Sequence, residues 1–288
     1  MPFVIGVDSS ANAAHLFDPD TGALVQQNYL EWDELLDGGS TAKHALQVGN
    51  EIWVSDQIRD TVYRFDLSGN FITNIGGQVA GGGLDNIRGM EVVGNEVWVT
   101  NAGSNNDAPG NAIVKIDIAT ASITGSTPTN ASLFDVINHQ GGVLASNLSD
   151  HTLDTHDLNG EFVSTFHTPV APGLRFPQQL FELDNGNVLV AGFSAAGGNT
   201  SGVYEIDTNG DSLGIVAGEN LGPRGAYMLG NGEIMWTNGA GFWVGSDNVF
   251  DGAGSSVSGQ YLSLVMIPSP GAVALFALGG LAGMRRRR

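Results

Sequence analysis

The sequence has no cysteine and little positive charge. The lack of cysteine in 288 residues excludes disulfides, iron–sulfur clusters and thiol catalysis, but it leaves the cellular compartment open. Eleven Lys and Arg stand against thirty Asp and Glu, and four of the eleven form the terminal run Arg285, Arg286, Arg287 and Arg288. The chain before that run therefore carries a net charge of −23. Because phosphate binding needs clustered cations, nucleic acid is not an expected partner.

Helical periodicity is also missing before residue 268. Charged residues make up 14% of the chain and hydrophobic residues 42%, which is typical of a folded rather than a disordered protein. Short runs of Val, Ile, Leu, Trp and Phe are bounded by Gly, Asn and Asp, as in strands that are joined by turns. The sequence therefore predicts an all-β fold, and its length suits one large β unit.

A short motif recurs six times along the chain. Each copy is a β-type pair, a small residue and, in all copies but one, Asp or Asn. The copies end at Asp8, Asp56, Asn101, Asn147, Gly192 and Asn238, with spacings of 48, 45, 46, 45 and 46 residues. This period fits four short strands with their turns, which is the size of one propeller blade. The sequence therefore predicts a six-bladed β-propeller over residues 1–267, followed by a short C-terminal hydrophobic helix within residues 268–288.

A second repeated element is an Asp turn downstream of the first five motif copies. Its aspartates are Asp18, Asp66, Asp117, Asp157 and Asp207. Because Asp accepts backbone N–H groups two residues on and Gly supplies positive φ, these are predicted structural turns between the third and fourth strands. The first blade begins at its second strand, Phe3 to Val7. Its first strand is either missing upstream or supplied by Tyr261 to Met266.

The repeats resemble a known class of bacterial propeller. The motifs WVSD at 53–56 and WVTN at 98–101, with Ile-Arg-Gly and Pro-Arg-Gly before first strands, resemble the NHL and YVTN type. The resemblance spans residues 3–267 and implies the fold, but binding modules and enzymes share such repeats. Residues 222–225 and 233–238 also resemble a blade of the streptogramin lyases. No His stands at a repeat-equivalent position to act as a general base.

The C-terminal residues have a three-part layout. Pro268, Ser269 and Pro270 precede an apolar stretch at 271–284, and the four arginines follow it. As a helix the stretch would span about 21 Å, less than the roughly 30 Å hydrocarbon core, with the arginines on the cytoplasmic side. The layout resembles the PEP-CTERM sorting signal of exosortase substrates, with Ser269 where that family usually has Glu. The alternative is a simple C-terminal anchor helix.

The sorting resemblance implies a location and a partner. It implies export, transient anchoring in the membrane through the tail, processing by an exosortase-type enzyme, and display on the cell surface or in the extracellular matrix. At the other end of the chain no export signal is visible, because Met1 and Pro2 lead straight into a strand-like segment. We expect the true start to lie upstream, and the alternative is that the protein is not exported.

The predicted ligand site is the mouth of the central channel. In a propeller the ends of the second strands and the starts of the first strands open on one face, where loops commonly bind ligands. The predicted lining residues are Asp8, Asp56, Asn101, Asn147, Asn238, Arg88, Arg175 and Arg224. Their Arg and Asx side chains would bind an anionic or polyol ligand. The alternative is that they pair with one another and only fix the contacts between blades.

The sequence also offers candidate ligands for two metals, calcium and zinc. Calcium is a candidate cofactor because the chain is rich in oxygen-bearing side chains and Gly turns, although it has no EF-hand loop. His151, Asp154, His156 and Asp157 could offer ligands to zinc. On a strand, however, Asp154 and His156 share one face while the other two point away, so a solvated strand is expected.

The leading functional hypothesis is a surface-displayed or secreted, non-enzymatic propeller of the cell envelope or extracellular matrix. It would bind polysaccharide, a small solute or a protein. The alternative is a divalent-metal-dependent lyase or lactonase that acts at the channel mouth, for which no catalytic residue is identified. A purely structural matrix component is a third option.

Overall fold

The computed structural model describes residues 1–35, 38–252 and 254–268, and it is a six-bladed β-propeller. Blade 1 comprises β24 (Gly259–Met266), β1 (Pro2–Asp8), β2 (Ala13–Phe17) and β3 (Leu24–Glu31). Blade 2 comprises β4 (Ala42–Val48), β5 (Glu51–Asp56), β6 (Thr61–Asp66) and β7 (Phe71–Gly76). Blade 3 comprises β8 (Met90–Val93), β9 (Glu96–Asn101), β10 (Ala112–Asp117) and β11 (Ser122–Pro128).

The second half of the ring repeats this pattern. Blade 4 comprises β12 (Leu133–His139), β13 (Gly142–Asn147), β14 (Leu153–His156) and β15 (Phe162–His167). Blade 5 comprises β16 (Pro177–Glu182), β17 (Val188–Gly192), β18 (Gly202–Ile206) and β19 (Ser212–Ala217). Blade 6 comprises β20 (Gly225–Met228), β21 (Ile234–Asn238), β22 (Gly241–Val244) and β23 (Asp247–Phe250). Two single-turn helices, Asp33–Leu35 and Ala196–Gly198, lie in loops.

Each blade is an antiparallel sheet whose strands we letter A to D from the channel outward. The A strands begin, and the B strands end, on what we call the top face; the A–B turns lie on the bottom face. The B strands are buried along almost their whole length, whereas the outer D strands are mostly exposed. The core therefore lies between neighbouring blades, where Trp53 and Trp98 are each 1% exposed.

The first blade is closed by the end of the chain. Strand β24 pairs with β1, with Pro2 opposite Met266 and Asp8 opposite Gly259. The Ile267 N–H donates to the Met1 carbonyl over 2.9 Å. Of the two alternatives for the A strand of this blade, the structure has the C-terminal one.

The small residue of the repeated motif joins neighbouring blades. The Ser55 hydroxyl of blade 2 donates to the Arg88 carbonyl of blade 3. The Thr100 hydroxyl of blade 3 donates to the Phe134 carbonyl of blade 4 over 3.2 Å. The Thr237 hydroxyl of blade 6 likewise donates to a carbonyl of blade 1. These hydroxyls thus have partners in the interior, which buried polar groups need.

The Asp turns join the C and D strands. Asp66 accepts the N–H groups of Ser68 and Asn70 over 2.8 and 2.9 Å. Asp207 accepts those of Asn209 and Asp211, each over 2.9 Å. These carboxylates serve the turns that the sequence predicts.

The predicted C-terminal helix, Ser269, Pro270 and the four terminal arginines lie outside the described residues. In the described ranges, no helix is long and apolar enough to cross a membrane. Strand β24 runs from the top face to the bottom face, so the described chain ends at the bottom.

Candidate functional site

The five Asx residues of the motif are buried, with exposed fractions of at most 7%. Asp56 shows what they do. Its Oδ1 accepts the N–H groups of Ile58 and Arg59 in the B–C turn and that of Thr41 ahead of strand A, over 3.0 to 3.2 Å. One carboxylate thereby closes the turn and holds it to the start of its own blade.

The other Asx residues are bonded in the same way. Asp8 accepts N–H groups from Ser10 and Ser258, each over 2.9 Å. Burial alone would raise its pKa, but hydrogen bonds from His15 and the backbone hold that pKa below its usual value. Asn101, Asn147 and Asn238 each accept a backbone N–H group with Oδ1 over 2.7 to 2.9 Å. These contacts favour the structural alternative, and ligand binding by the Asx residues stays a prediction.

Strand register identifies a ring of equivalent residues at the top of the channel. In each blade, one A-strand residue pairs with the B-strand residue that stands two positions before the end of the motif. These A-strand residues are Leu262, Ala45, Met90, Val136, Leu180 and Ala226. Two positions earlier, at the start of each A strand, stand Gln260, Lys43, Arg88, Phe134, Gln178 and Arg224, which we call the mouth ring. Contacts between neighbours support the ring, because Lys43 Nζ lies 3.1 Å from Gln260 Oε1 and the Arg88 guanidinium carbon lies 4.0 Å from the Phe134 centroid.

Arg88 and Arg224 come from opposite blades of the ring. The Arg88 side chain is 5% exposed, and its Nη1 donates to Ser132 Oγ and the Leu133 carbonyl over 2.7 and 3.0 Å. Arg224 donates to Ser258 Oγ. Within the described part of the chain, neither guanidinium has a carboxylate at ion-pair distance. Both are therefore held by neutral acceptors.

Lys43 completes a group of three cations, and the sequence analysis missed it. Burial first, and then the charges of Arg224 and Arg88, lower the pKa of Lys43 to about 7. The geometry supports the grouping: Lys43 Nζ donates to Gln260 Oε1, while Gln260 Nε2 and Arg224 Nη1 both donate to Ser258 Oγ. Arg88 occupies the equivalent position in the next blade of the mouth ring. Lys43 also has no carboxylate within 4.0 Å among the described residues. The available signal was its offset, because Lys43 stands as far before Asp56 as Arg88 stands before Asn101.

Arg175 lies apart from the ring. Its guanidinium lies against Gly197 in the loop after β17. Its charge acts on His151, whose pKa is lowered by burial first and by Arg175 second. It is absent from the charges that act on Lys43. The structure thus brings two of the three predicted arginines together and leaves the third outside.

A second layer of side chains closes the channel below the mouth ring. It consists of the next residue in each blade: Tyr261, His44, Gly89, Asp135, Gln179 and Gly225. The Tyr261 hydroxyl reaches across the axis and donates to the Phe134 carbonyl over 3.4 Å. Gln179 Oε1 accepts the N–H groups of Ala226 and Leu262 over 3.1 and 2.9 Å. The two ends of the channel are therefore separate.

The bottom end of the channel is a cavity of about 450 Å³ that carries carboxyl groups. Burial raises the pKa of Glu91 to about 7, although a hydrogen bond from Asn138 opposes the shift. Burial also raises the pKa of Asp135 well above its usual range. Asp135 Oδ2 accepts the Leu180 N–H over 2.9 Å, while its Oδ1 has no hydrogen-bond partner. Glu91 thus lies at the opposite end of the channel from the three cations, and Asp135 lies in the second layer between the two ends.

The proposed zinc ligands are engaged elsewhere. Asp154 accepts hydrogen bonds from Asn147 Nδ2 and Thr152 Oγ1 over 2.8 and 2.9 Å, and His156 Nδ1 lies 3.0 Å from the Gly160 carbonyl. In residues 1–35, 38–252 and 254–268, no three His, Asp or Glu side chains are grouped to hold a metal ion. The three cations of the mouth ring would also repel a divalent cation. Calcium bound elsewhere through backbone and amide oxygens stays a prediction.

No family model and no curated protein matches the chain. It is similar in structure to a chain of the nidogen/laminin complex, with 10% identity, a TM-score of 0.66, and 93% of this chain and 100% of that one covered. A streptogramin B lyase structure has 14% identity and a TM-score of 0.57, with 92% and 93% covered. A Bacteroides caccae protein of unknown function has 14% identity and a TM-score of 0.58, with 92% and 98% covered.

These similarities show the fold alone. A lyase and a member of a protein complex share the propeller, so the architecture does not choose between catalysis and binding. The choice must come from the residues of the site. By fold, the chain is a six-bladed β-propeller.

Proposed function

We propose that the protein is a non-enzymatic binding propeller that takes an anionic ligand at the mouth ring. The observation that carries the proposal is the place of Lys43, Arg88 and Arg224 in one ring, by strand register and shared hydrogen bonds, without a carboxylate partner in the described structure. Unpaired buried charge is costly, and acidic side chains outnumber cations by thirty to seven in the sequence before the terminal arginines. A ligand anion would supply the missing counter-charge.

We also propose that the protein acts in the cell envelope or extracellular matrix. The support is the three-part layout of residues 268–288, which resembles a PEP-CTERM signal read by an exosortase-type enzyme. The NHL and YVTN type of repeat is part of the same proposal. Because β24 ends at the bottom face, a tail that holds the protein to the membrane before processing would leave the mouth ring facing outward.

Calorimetric titration of the full chain with citrate, at low ionic strength, tests the binding proposal. We expect Arg88→Gln and Arg224→Gln each to weaken binding by about tenfold, because each removes a buried charge that the ligand would pair with. Arg175→Gln is the matched control, with the same change of charge outside the mouth ring, and it should leave affinity within about twofold. An equal loss in the control, or no binding by the unaltered protein, would contradict the proposal.

Deletion of residues 268–288 tests the location. In cells that export the protein, the truncated form should be released into the medium, because it has lost the apolar stretch and the terminal arginines. Fractionation and immunoblotting measure the release. Glu34→Gln, an exposed change outside the tail, is the control in the otherwise complete chain and should stay with the cells. Retention of the truncated protein would show that the tail does not hold it.

The metal-dependent lyase or lactonase has less support, because the mouth ring presents cations where that activity would need a metal ion.

A further inference from the structure

Three phenylalanines form a row on the top face between the two arginines of the mouth ring. Phe134 lies under the Arg88 guanidinium, and its ring centroid is 5.2 Å from that of Phe176. The Phe176 centroid is 5.7 Å from that of Phe193, which lies 5.6 Å from the Arg224 guanidinium carbon. We call Phe134, Phe176 and Phe193 the aromatic row.

Two features of the aromatic row are unusual for residues that only pack. Phe176 has a backbone φ of +56°, a conformation that bulky residues rarely adopt and that concentrates at ligand sites. Phe193 is 37% exposed, although it follows a fully buried strand. Its N–H donates to the Phe176 carbonyl over 3.1 Å, which holds the two residues together. The chain thus keeps a partly open aromatic surface at some cost in backbone strain.

Unpartnered polar atoms lie beside the row. Gln178, two residues after Phe176, is 4% exposed, and its Oε1 accepts no hydrogen bond. Arg88 Nε, at the other end of the row, also has no partner. Buried groups of this kind normally have partners, so a ligand with hydroxyl groups would satisfy them.

We infer that the anionic ligand is an acidic saccharide. This inference rests on the proposed function and names the ligand class of the same site. The polarised C–H face of a sugar ring would stack on Phe193 and Phe176, because the face of an aromatic ring is electron-rich. A uronate carboxylate would bind Arg224 or Arg88, and the sugar hydroxyls would bind Gln178.

The geometry favours a sugar chain over a planar aromatic anion. Neighbouring rings of the row are inclined by 59° and 53°, so no two of them form a parallel slot for an aromatic plane. A row that runs from one arginine to the other also matches an extended chain with a charge on each unit better than one compact anion.

Titrations with three probes test the inference. The probes are uronate tetramers (galacturonate and mannuronate), their methyl esters, which are uncharged, and citrate, which is charged but has no sugar ring. We expect the unaltered protein to bind at least one tetramer more tightly than its ester and more tightly than citrate. Phe193→Ala should weaken the binding of that tetramer by about tenfold and leave the affinity for citrate within about twofold of the unaltered protein.

Matched variants separate stacking from charge. Phe162→Ala removes an exposed phenylalanine from the outer strand β15 and should change the affinity for neither the tetramer nor citrate. Phe193→Leu should behave like Phe193→Ala, because it keeps an apolar side chain but not the ring. Arg224→Gln should weaken the binding of citrate and of the tetramer by a similar factor.

Several results would overturn the inference. Unchanged tetramer affinity in Phe193→Ala, or an equal loss for citrate, would show that no sugar stacks there. Equal affinity for tetramer and ester would show that charge is not recognised. Citrate binding that depends on Arg224, with both tetramers bound no more tightly, would reject the saccharide and keep the proposed function. Binding of neither tetramers nor citrate would reject both.

Discussion

The two ends of the central channel are built from the same six A strands, yet they carry opposite kinds of ionisable group. Glu91 at the bottom and Asp135 in the second layer respond to burial by holding their protons more tightly, because burial raises the pKa of both carboxyls. At the top, Arg88 and Arg224 have no such option, because a guanidinium stays protonated in proteins. A buried carboxyl such as Glu91 can therefore become neutral by taking up a proton, whereas the arginines at the top need an anion from outside.

Neutralising the bottom end should have the largest effect on stability. The pKa of Glu91 is raised from 4.5 to about 7, so the folded state holds the proton more tightly than the unfolded state. The stability that this bound proton contributes to the folded state is fully present below pH 4.5, and it is lost as the pH rises through about 7. Glu91→Gln should accordingly stabilise the protein by about 2 kcal/mol at high pH and by little at low pH.

Urea unfolding of the full chain at about pH 4, 6 and 8 measures this effect. The exposed Glu34 provides a matched control, and Glu34→Gln should leave the unfolding midpoint unchanged at every pH. Anion binding at the top should be unaffected by Glu91→Gln, because the second layer of side chains separates the two ends. A gain in stability that is equal at all three pH values would show that the carboxyl is ionised throughout, and would remove the contrast between the ends.

The fold could be predicted from the sequence because a propeller repeats its local signals. The spacing of the motif defined six blades, and the Asp turns placed the C–D hairpins. The closure of blade 1 stayed undecided between two alternatives, because pairing between Pro2 and Met266 leaves no local pattern. The role of the motif hydroxyls was not predicted, since Ser55 and its equivalents act only on a neighbouring blade.

The candidate site could be predicted only in part. Arg88 and Arg224 were found because both stand directly ahead of a Gly at the start of an A strand. Lys43 was missed although it stands at the same offset from Asp56 as Arg88 from Asn101, because it lacks the following Gly that marks Arg88 and Arg224. In blade 5 the mouth-ring residue is Gln178, and Arg175 stands three residues before it. These positions depend on the register between the A and B strands, which the motif alone does not give.

The titration of Lys43 should have the smallest effect, and it gives the most selective test of the difference between the two ends of the channel. The Lys43 pKa of about 7 results from burial first and then from Arg224 and Arg88, with Asp56 acting in the opposite direction. Because this amine is charged below that pH and neutral above it, affinity for sulfate should fall by about fivefold from pH 6 to pH 8.5. Sulfate suits the measurement because its own charge is constant over this range.

Lys43→Gln should bind sulfate more weakly at low pH and lose the pH dependence. Glu91→Gln should keep the pH dependence of sulfate binding, although Glu91 at the other end of the channel titrates over the same pH range. This pair of variants assigns the titration to one end, which the pH profile of the unaltered protein cannot do. If Glu91→Gln abolished the dependence and Lys43→Gln kept it, the two ends would be coupled through His44 and Tyr261, and the second layer would transmit charge rather than separate it.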